Sequence, residues 1–377
     1  MALLCSKTVV GGEPLDIRPD IRLVIASLAG GGAERVCLLL ANSWAAQGRR
    51  VEILTVRRHG EYLSMLDSRV TLHSPDANRT LRALFWMRQR LNRWKDVPAI
   101  VFGIDIAVGL GVFKWLGVLR APLIYREGSL PHENVVAKCR WTYSVCVRHL
   151  DALIAQTDEA LGSLRRLGLA NVPAMVIWNP VLPPPGGRER ASDSVTKGPR
   201  CLSIGRLSSE KGWMRLLQAF VRLRQEWPGA TLDVVGQGSL LPEMQEAIRD
   251  LGLSHEVRLH GFIEGVQRFY CQADLFILPS FYEGQSNALI EALLHGCRVV
   301  AAGGASTREL LDRIGLADCA IGAGAFDEEL VAAVIRANTL PANAWSSARQ
   351  LLRERTDVAS VGERYYGFCH QIATGAL

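Results

Sequence analysis

The chain has 377 residues, 49% of them hydrophobic and 21% charged, with a formal net charge of +6. Two cores of ordinary domain size fit in that length, and the composition excludes a disordered or low-complexity chain. Nine cysteines are scattered without a C-x-x-C or a Cys/His cluster at zinc spacing, so they read as reduced thiols of a cytoplasmic protein, with Cys37, Cys201 and Cys271 buried in apolar segments.

Residues 1–20 read as a loose N-terminal extension, since Lys7 interrupts the apolar start of a would-be signal peptide. The pattern then predicts a strand over Ile21–Ser27, a helix over Ala33–Gln47 stopped by Gly48, and a strand over Arg50–Val56. Between the first strand and helix stands Gly30-Gly31-Gly32-Ala33-Glu34-Arg35, bare backbone that a phosphate can approach. It is no dinucleotide fingerprint, because Arg35 stands where a third glycine is required.

A helix is predicted over Arg79–Lys95, carrying six cations and no acid, with Leu84, Met87, Leu91 and Trp94 on one face. Such a helix either packs on a core with solvated arginines or lies on an anionic membrane surface. The apolar run Val97–Leu119 holds Asp105, Lys114 and several glycines, so it reads as a buried strand and helix rather than a membrane span. Strands follow at Leu123–Tyr125, Leu153–Ala155 and Met175–Trp178. Leu123–Pro131 ends in Arg126 and Glu127, with His132 just beyond.

Residues 183–199 break the alternation with Pro183-Pro184-Pro185-Gly186-Gly187 and read as a linker. The pattern restarts with strands at Cys201–Ile204, Thr231–Val235, Val257–Leu259, Leu275–Leu278 and Arg298–Ala301, and a last helix over Val361–Ala373. Strands alternating with helices predict an α/β chain with parallel sheets covered on both faces. The charge follows the division: residues 1–187 carry 23 Lys/Arg and 15 Asp/Glu, the remainder 20 and 22. A basic first half suits an acidic membrane neighbour or is only a soluble surface; no nucleic-acid recognition motif accompanies it.

The second half carries the sharpest motifs. Gly205-Arg206-Leu207-Ser208-Ser209-Glu210-Lys211-Gly212 follows its first strand, where open parallel sheets bind ligands, and Arg206 and Lys211 suit a diphosphate. Phe281–Leu293 reads F-Y-E-G-Q-S-N-A-L-I-E-A-L across a strand-to-helix junction. Gly284 permits the turn, Ser286 can cap the helix, and Asn287 and Glu291 share a face at i, i+4. The free N–H groups at such a helix start suit a phosphate, while Glu283 and Glu291 can accept from hydroxyls.

Together these motifs resemble the donor site of the retaining glycosyltransferases of family 4 (the group 1 class). The resemblance covers nearly the whole chain from residue 21. It implies a GT-B fold, two Rossmann-like domains facing a cleft, with an acceptor-side domain over 21–182, a nucleotide-sugar domain over 200–360 and a helix over 361–377 crossing back to the first domain. It implies transfer of a sugar from a UDP- or GDP-sugar to an acceptor hydroxyl, with a lipid-linked glycan of surface polysaccharide or lipopolysaccharide as acceptor. Arg206 and Lys211 would neutralise the leaving diphosphate, Glu283 would hold the donor sugar and Glu291 the ribose. Gly31, Gly32, Gly205, Gly284, Gln285, Ser286, Asn287 and Ala288 would line the donor, and the loop of Phe262 and Ile263 would hold the base through its backbone. Arg126 and Glu127 would face the acceptor, and Glu127, or His132, would touch its hydroxyl. No D-x-D occurs, so no metal and no cofactor is expected. Asn179-Pro180 resembles the family's segment before the linker and reads as a simple turn, while Arg298 departs from a usual proline. A cytoplasmic enzyme peripheral to the inner face of the plasma membrane is expected. The alternatives are a catalytically inactive nucleotide-sugar sensor or a GT-B epimerase.

Overall fold

The computed structural model describes residues 17–128, 147–184, 198–322 and 326–376. Most of the expected extension and linker, Cys5, Cys139, Cys146 and the candidate His132 lie outside the described residues. Apolar runs buried on both faces give two all-parallel sheets, as continuous Val/Ile/Leu strands require. The first contains β1 (Ile21–Ile25), β2 (Val51–Thr55), β3 (Thr71–His73), β4 (Ala99–Phe102), β5 (Leu123–Arg126), β6 (Ala152–Ala155) and β7 (Ala174–Val176), in the order β3-β2-β1-β4-β5-β6-β7. The second contains β8 (Arg200–Ile204), β9 (Thr231–Val235), β10 (Val257–Leu259), β11 (Leu275–Leu278) and β12 (Arg298–Ala301), in the order β10-β9-β8-β11-β12. In each sheet the order reverses beside the first strand, which opens a crevice at the strands' carboxyl ends. The arrangement is a two-domain, Rossmann-like GT-B fold.

Strand β3 was not expected from the sequence. It is three residues long and pairs Leu72 with Ile53 at the sheet edge, too short for a periodic signal. The basic segment forms α2 (Thr80–Arg93), and the apolar run after it splits into β4 and α3 (Ile104–Trp115). No described helix is long and apolar enough to cross a membrane.

Two arginines, one fully buried and one half-buried, end helices from inside. Arg22 on β1 is fully buried and donates to the carbonyls of Leu91 and Trp94 at 2.9 Å, and to that of Val97, where α2 stops. Burial lowers its pKa to about 10, so it stays a cation at neutral pH. Arg298 on β12 donates to Asn338 Oδ1 at 2.6 Å and to the carbonyl of Ala337, at the end of the helix Phe326–Thr339. That contact gives Arg298 a structural reason to stand where a proline was expected. Cys271, expected to be buried, is exposed: the short helix Gln267–Gln272 turns Phe269 and Tyr270 inward and Cys271 outward.

The chain crosses between domains twice. Val181 N donates to the carbonyl of Thr356 at 2.9 Å, so the two crossings lie side by side. Beyond the second, Asp357 caps the helix Val358–Thr374 by accepting from Ser360 N at 2.8 Å. This helix packs on α1 (Gly32–Ala46), and its Val361, Tyr365, Phe368 and Cys369 join the core of the first sheet. Trp44 of α1, fully buried, donates its indole N–H to the carbonyl of Gly362 at 3.0 Å.

Candidate functional site

The site begins with glycines that let three loops touch. A Cβ at Gly236 would lie 1.8 Å from the carbonyl oxygen of Gly205, and one at Gly238 would lie 2.2 Å from that of Leu207. The G-x-G after β9 therefore braces the Gly205–Gly212 loop. Gly212, in the left-handed region at φ +71°, approaches Pro279 so closely that a Cβ would meet its carbonyl oxygen at 2.0 Å. The loop after β8 is thus pressed on the loop after β11.

That contact sets the charges. Lys211 Nζ lies 2.7 Å from Glu283 Oε1, which also accepts from Ser280 Oγ at 2.6 Å. Glu283 N–H donates to the carbonyl of Gly303 at 3.0 Å, and a Cβ at Gly303 would lie 3.3 Å from Glu283 Cγ. Lys211 pairs across the loops with Glu283; Glu210, the local alternative, accepts from Ser208. Arg206 is exposed, while its backbone is anchored by Trp213 Nε1 donating to its carbonyl at 2.8 Å. Arg215, almost buried, donates to the carbonyls of Pro279 at 2.7 Å and Ser280 at 2.5 Å and stacks over Phe281 at 4.0 Å. It fixes the loop that delivers Glu283. In sequence Arg215 reads as one more cation on an amphipathic helix, so no signal singles it out.

Helix Asn287–Leu294 begins where predicted, with Ser286 Oγ accepting from Leu289 N at 3.4 Å. Leu289, Ala292 and Leu293 are buried, and Glu291 is 5% exposed. Glu291 accepts from Tyr270 Oη at 3.0 Å and pairs with Arg35 of the first domain at 2.9 Å. Neither partner was anticipated, although Arg35 belongs to the glycine-loop motif.

The first domain's glycine loop faces these groups. A Cβ at Gly30 would lie 3.0 Å from the Phe262 ring, one at Gly31 3.4 Å from Arg206 Nη2, and one at Gly32 3.7 Å from Asn287 Nδ2. Gly31, Gly32, Arg206, Phe262 and Asn287, far apart in sequence, are thereby brought together. Ile263 packs against the second core, Ala288 is partly buried and Gln285 nearly buried. Glu34, which sequence reasoning passed over, sits in the same place. Burial pushes its carboxyl above the usual range, with Arg206 and Arg126 opposing.

Two expectations for the first domain change. Arg126 does not face an acceptor: it is buried, donating to Asn179 Oδ1 at 2.5 Å and to Tyr365 Oη at 3.3 Å. Asn179 is more than a turn residue. Its N–H donates to Gln285 Oε1 at 2.6 Å and its side-chain amide to Asn287 Oδ1 at 2.8 Å, joining the domain crossing to the start of the donor helix. Glu127 is 2% exposed; its carboxylate accepts from Tyr125 Oη at 3.0 Å and Gly128 N at 2.9 Å. Gly284 lies beside it, since a Cβ there would be 3.0 Å from the carbonyl oxygen of Gly128. A second contact closes the cleft's other end. Glu309 accepts from the N–H groups of Asp158 and Glu159 at 2.9 and 2.8 Å, at the start of the helix Asp158–Leu164, and Thr157 Oγ1 donates to Ser306 Oγ at 3.0 Å.

Two family models divide the chain as the sheets do. Glycosyltransferase Family 4 matches residues 30–183, and Glycosyl transferases group 1 matches residues 198–338. The chain belongs to glycosyltransferase family 4. Among its relatives is the N-acetylgalactosamine-N,N'-diacetylbacillosaminyl-diphospho-undecaprenol 4-alpha-N-acetylgalactosaminyltransferase of Campylobacter jejuni, 33% identical over 114 residues, which are 30% of this chain and 30% of that one. Another is the same organism's GalNAc-alpha-(1->4)-GalNAc-alpha-(1->3)-diNAcBac-PP-undecaprenol alpha-1,4-N-acetyl-D-galactosaminyltransferase, 27% identical over 301 residues, 74% of this chain and 78% of that one. Matches to the first curated relatives span less than a third of those proteins' length. Anabaena HepE, solved with UDP and glucose, shares the fold at a TM-score of 0.76 and 19% identity, over 93% of this chain and 99% of that one.

Proposed function

We propose that this family 4 member is a retaining glycosyltransferase that moves a sugar from a UDP- or GDP-sugar to a hydroxyl of a lipid-linked glycan in surface polysaccharide or lipopolysaccharide biosynthesis. One observation carries the reading: Arg206 and the start of the Asn287 helix meet a bare glycine loop, and Lys211, on the same loop as Arg206, is held against Glu283. Negative charge develops on the departing diphosphate, and fixed cations and helix N–H groups aimed there stabilise the transition state more than the ground state. Glu283 takes the donor sugar's hydroxyls, Glu291 the ribose, and the Phe262–Ile263 backbone the base. Glu127, beside Gly284, reaches the acceptor hydroxyl. The Campylobacter relatives, whose names give undecaprenol-diphosphate-linked glycans as acceptors, and the UDP-bound HepE support the donor and acceptor classes.

The test is a panel of labelled nucleotide-sugars incubated with the protein and a native membrane extract, with the product's anomeric configuration read by NMR. Transfer with retention is expected. Absence of both transfer and hydrolysis with every UDP- and GDP-sugar would sink the reading. Turnover is further expected to survive excess chelator, because Arg206 and Lys211 supply the charge a divalent ion would otherwise bring. Loss in chelator, restored by Mg²⁺ or Mn²⁺, would show that these cations do not suffice.

The membrane part of the proposal rests on α2. Its Ala83, Leu84, Met87 and Leu91 are buried, yet Leu81 and Phe85 are 63% and 48% exposed beside the exposed Arg79 and Arg82. Arg90 is excluded from this face, since it lies 2.9 Å from Glu52 and 2.7 Å from His73. Each cation at an anionic leaflet contributes about 1 kcal/mol before screening. The protein should therefore co-sediment with anionic vesicles at low salt and be released at high salt. Changing Arg79 and Arg82 to Gln together with Phe85→Ser should weaken sedimentation about tenfold. Equal sedimentation of that variant would assign α2 to core packing alone.

A further inference from the structure

Glu291 is nearly buried but takes partners from both sides of the cleft. Tyr270 Oη donates to Oε2 at 3.0 Å from the second domain, and Arg35 Nη2 lies 2.9 Å from Oε1, reaching over from the first. Tyr270 is fixed in place, 1% exposed and stacked on His295 at 5.0 Å. Burial raises its pKa well above the usual phenol value, so it remains a donor at any working pH. A carboxylate offers about four lone-pair positions. These two bonds occupy one on each oxygen and leave one on each, which is what a vicinal diol needs.

The two partners differ in what holds them. Tyr270 belongs to the same domain as Glu291 and keeps its bond whatever the domains do. Arg35 rides on α1, which starts at Gly32, whose carbonyl is 3.4 Å from Asn287 Nδ2 across the cleft. Opening the cleft would withdraw Arg35 and leave the Glu291 carboxylate held by Tyr270 alone of these two partners, free to turn away from the diol. Closing it would restore the Arg35 contact that fixes the carboxylate's orientation toward the ligand.

We propose that Arg35 is a positioning residue for the donor's ribose, and that its bond to Glu291 links recognition of the 2′ and 3′ hydroxyls to closure of the cleft. The proposal rests on the assignment of Glu291 to the ribose made above. Linkage is reciprocal: if closure strengthens the grip on the diol, the diol favours closure by the same factor.

The experiment titrates UDP, GDP and their 2′,3′-dideoxy forms calorimetrically into wild type, Arg35→Met, Arg35→Lys and Glu291→Gln, and follows the radius of gyration by X-ray scattering. Wild type should prefer the ribose form by about tenfold to hundredfold, the value of hydrogen bonds to a charged acceptor. Arg35→Met should lose most of that preference while keeping its affinity for the dideoxy form within about threefold, and Arg35→Lys should regain part of it. A merely structural role would weaken both forms alike. The ribose form should contract wild type and not Arg35→Met. If Glu291→Gln abolishes the preference and Arg35→Met retains it, Arg35 has no such role. If Glu291→Gln itself retains the preference, the ribose assignment falls, and this proposal with it.

Discussion

Arg206→Ala and Lys211→Ala should each lower turnover by roughly two to three orders of magnitude, the usual loss when one preorganised stabiliser of a developing anion is removed. The two variants differ in what else they change. Arg206 projects from a loop whose position is fixed by backbone contacts, so truncating its exposed guanidinium should leave the thermal unfolding midpoint where it was. Lys211 is half-buried and neutralises Glu283 at 2.7 Å, so its removal also leaves that carboxylate with only the Ser280 hydroxyl of its charged cluster. Lys211→Ala should therefore also lower the thermal unfolding midpoint, which Arg206→Ala leaves unchanged. Steady-state rates and a thermal melt on both variants check this. Near-wild-type turnover in both would remove the diphosphate from this loop.

Trp44→Ala should be the most damaging change outside the cleft. The indole is fully buried between α1 and the crossing helix, and its N–H satisfies the Gly362 carbonyl. Loss of an aromatic side chain of this size costs about 3–5 kcal/mol. The unfolding transition of the first domain should fall accordingly in urea, while Trp44→Phe, which keeps most of the volume and loses the donor, should cost less. An Ala variant within about 1 kcal/mol of wild type would mean the crossing helix contributes little to that domain.

The architecture was legible because fully buried parallel strands are written as uninterrupted apolar runs. Val51–Thr55 and Leu275–Leu278 announce themselves, whereas β3 at the sheet edge has no room to do so. The junction at Glu283 and Ser286 was legible for another reason: turn, cap and helix chemistry all act within a dozen residues. What escaped reading depends on distant partners. Arg22, Arg215 and Arg298 are cations that any local reading places in water, yet the first two end among backbone carbonyls of another element, and Arg298 ends on the Asn338 side chain and the Ala337 carbonyl. Tyr270 and Arg35 gain their meaning only from Glu291, 21 and 256 positions away. Cys271 erred in the opposite sense, since an apolar neighbourhood in sequence does not fix which side of a six-residue helix faces inward.

The crossing helix also constrains how the protein is made. Chain growth proceeds from the N-terminus at about 5–20 residues per second, and domains tend to fold as they emerge from the ribosome. Here Val361, Tyr365, Phe368 and Cys369, which finish the first core, are separated from it by the entire second domain. For the time it takes to synthesise that domain, the groove around Trp44 has no cover, and it is an aromatic-lined apolar surface of the kind that chaperones and neighbouring nascent chains bind. The early half of the protein must therefore wait, incompletely packed, for its last helix, and a ribosome that stops before Val358 releases a chain whose second domain can be whole while its first is not.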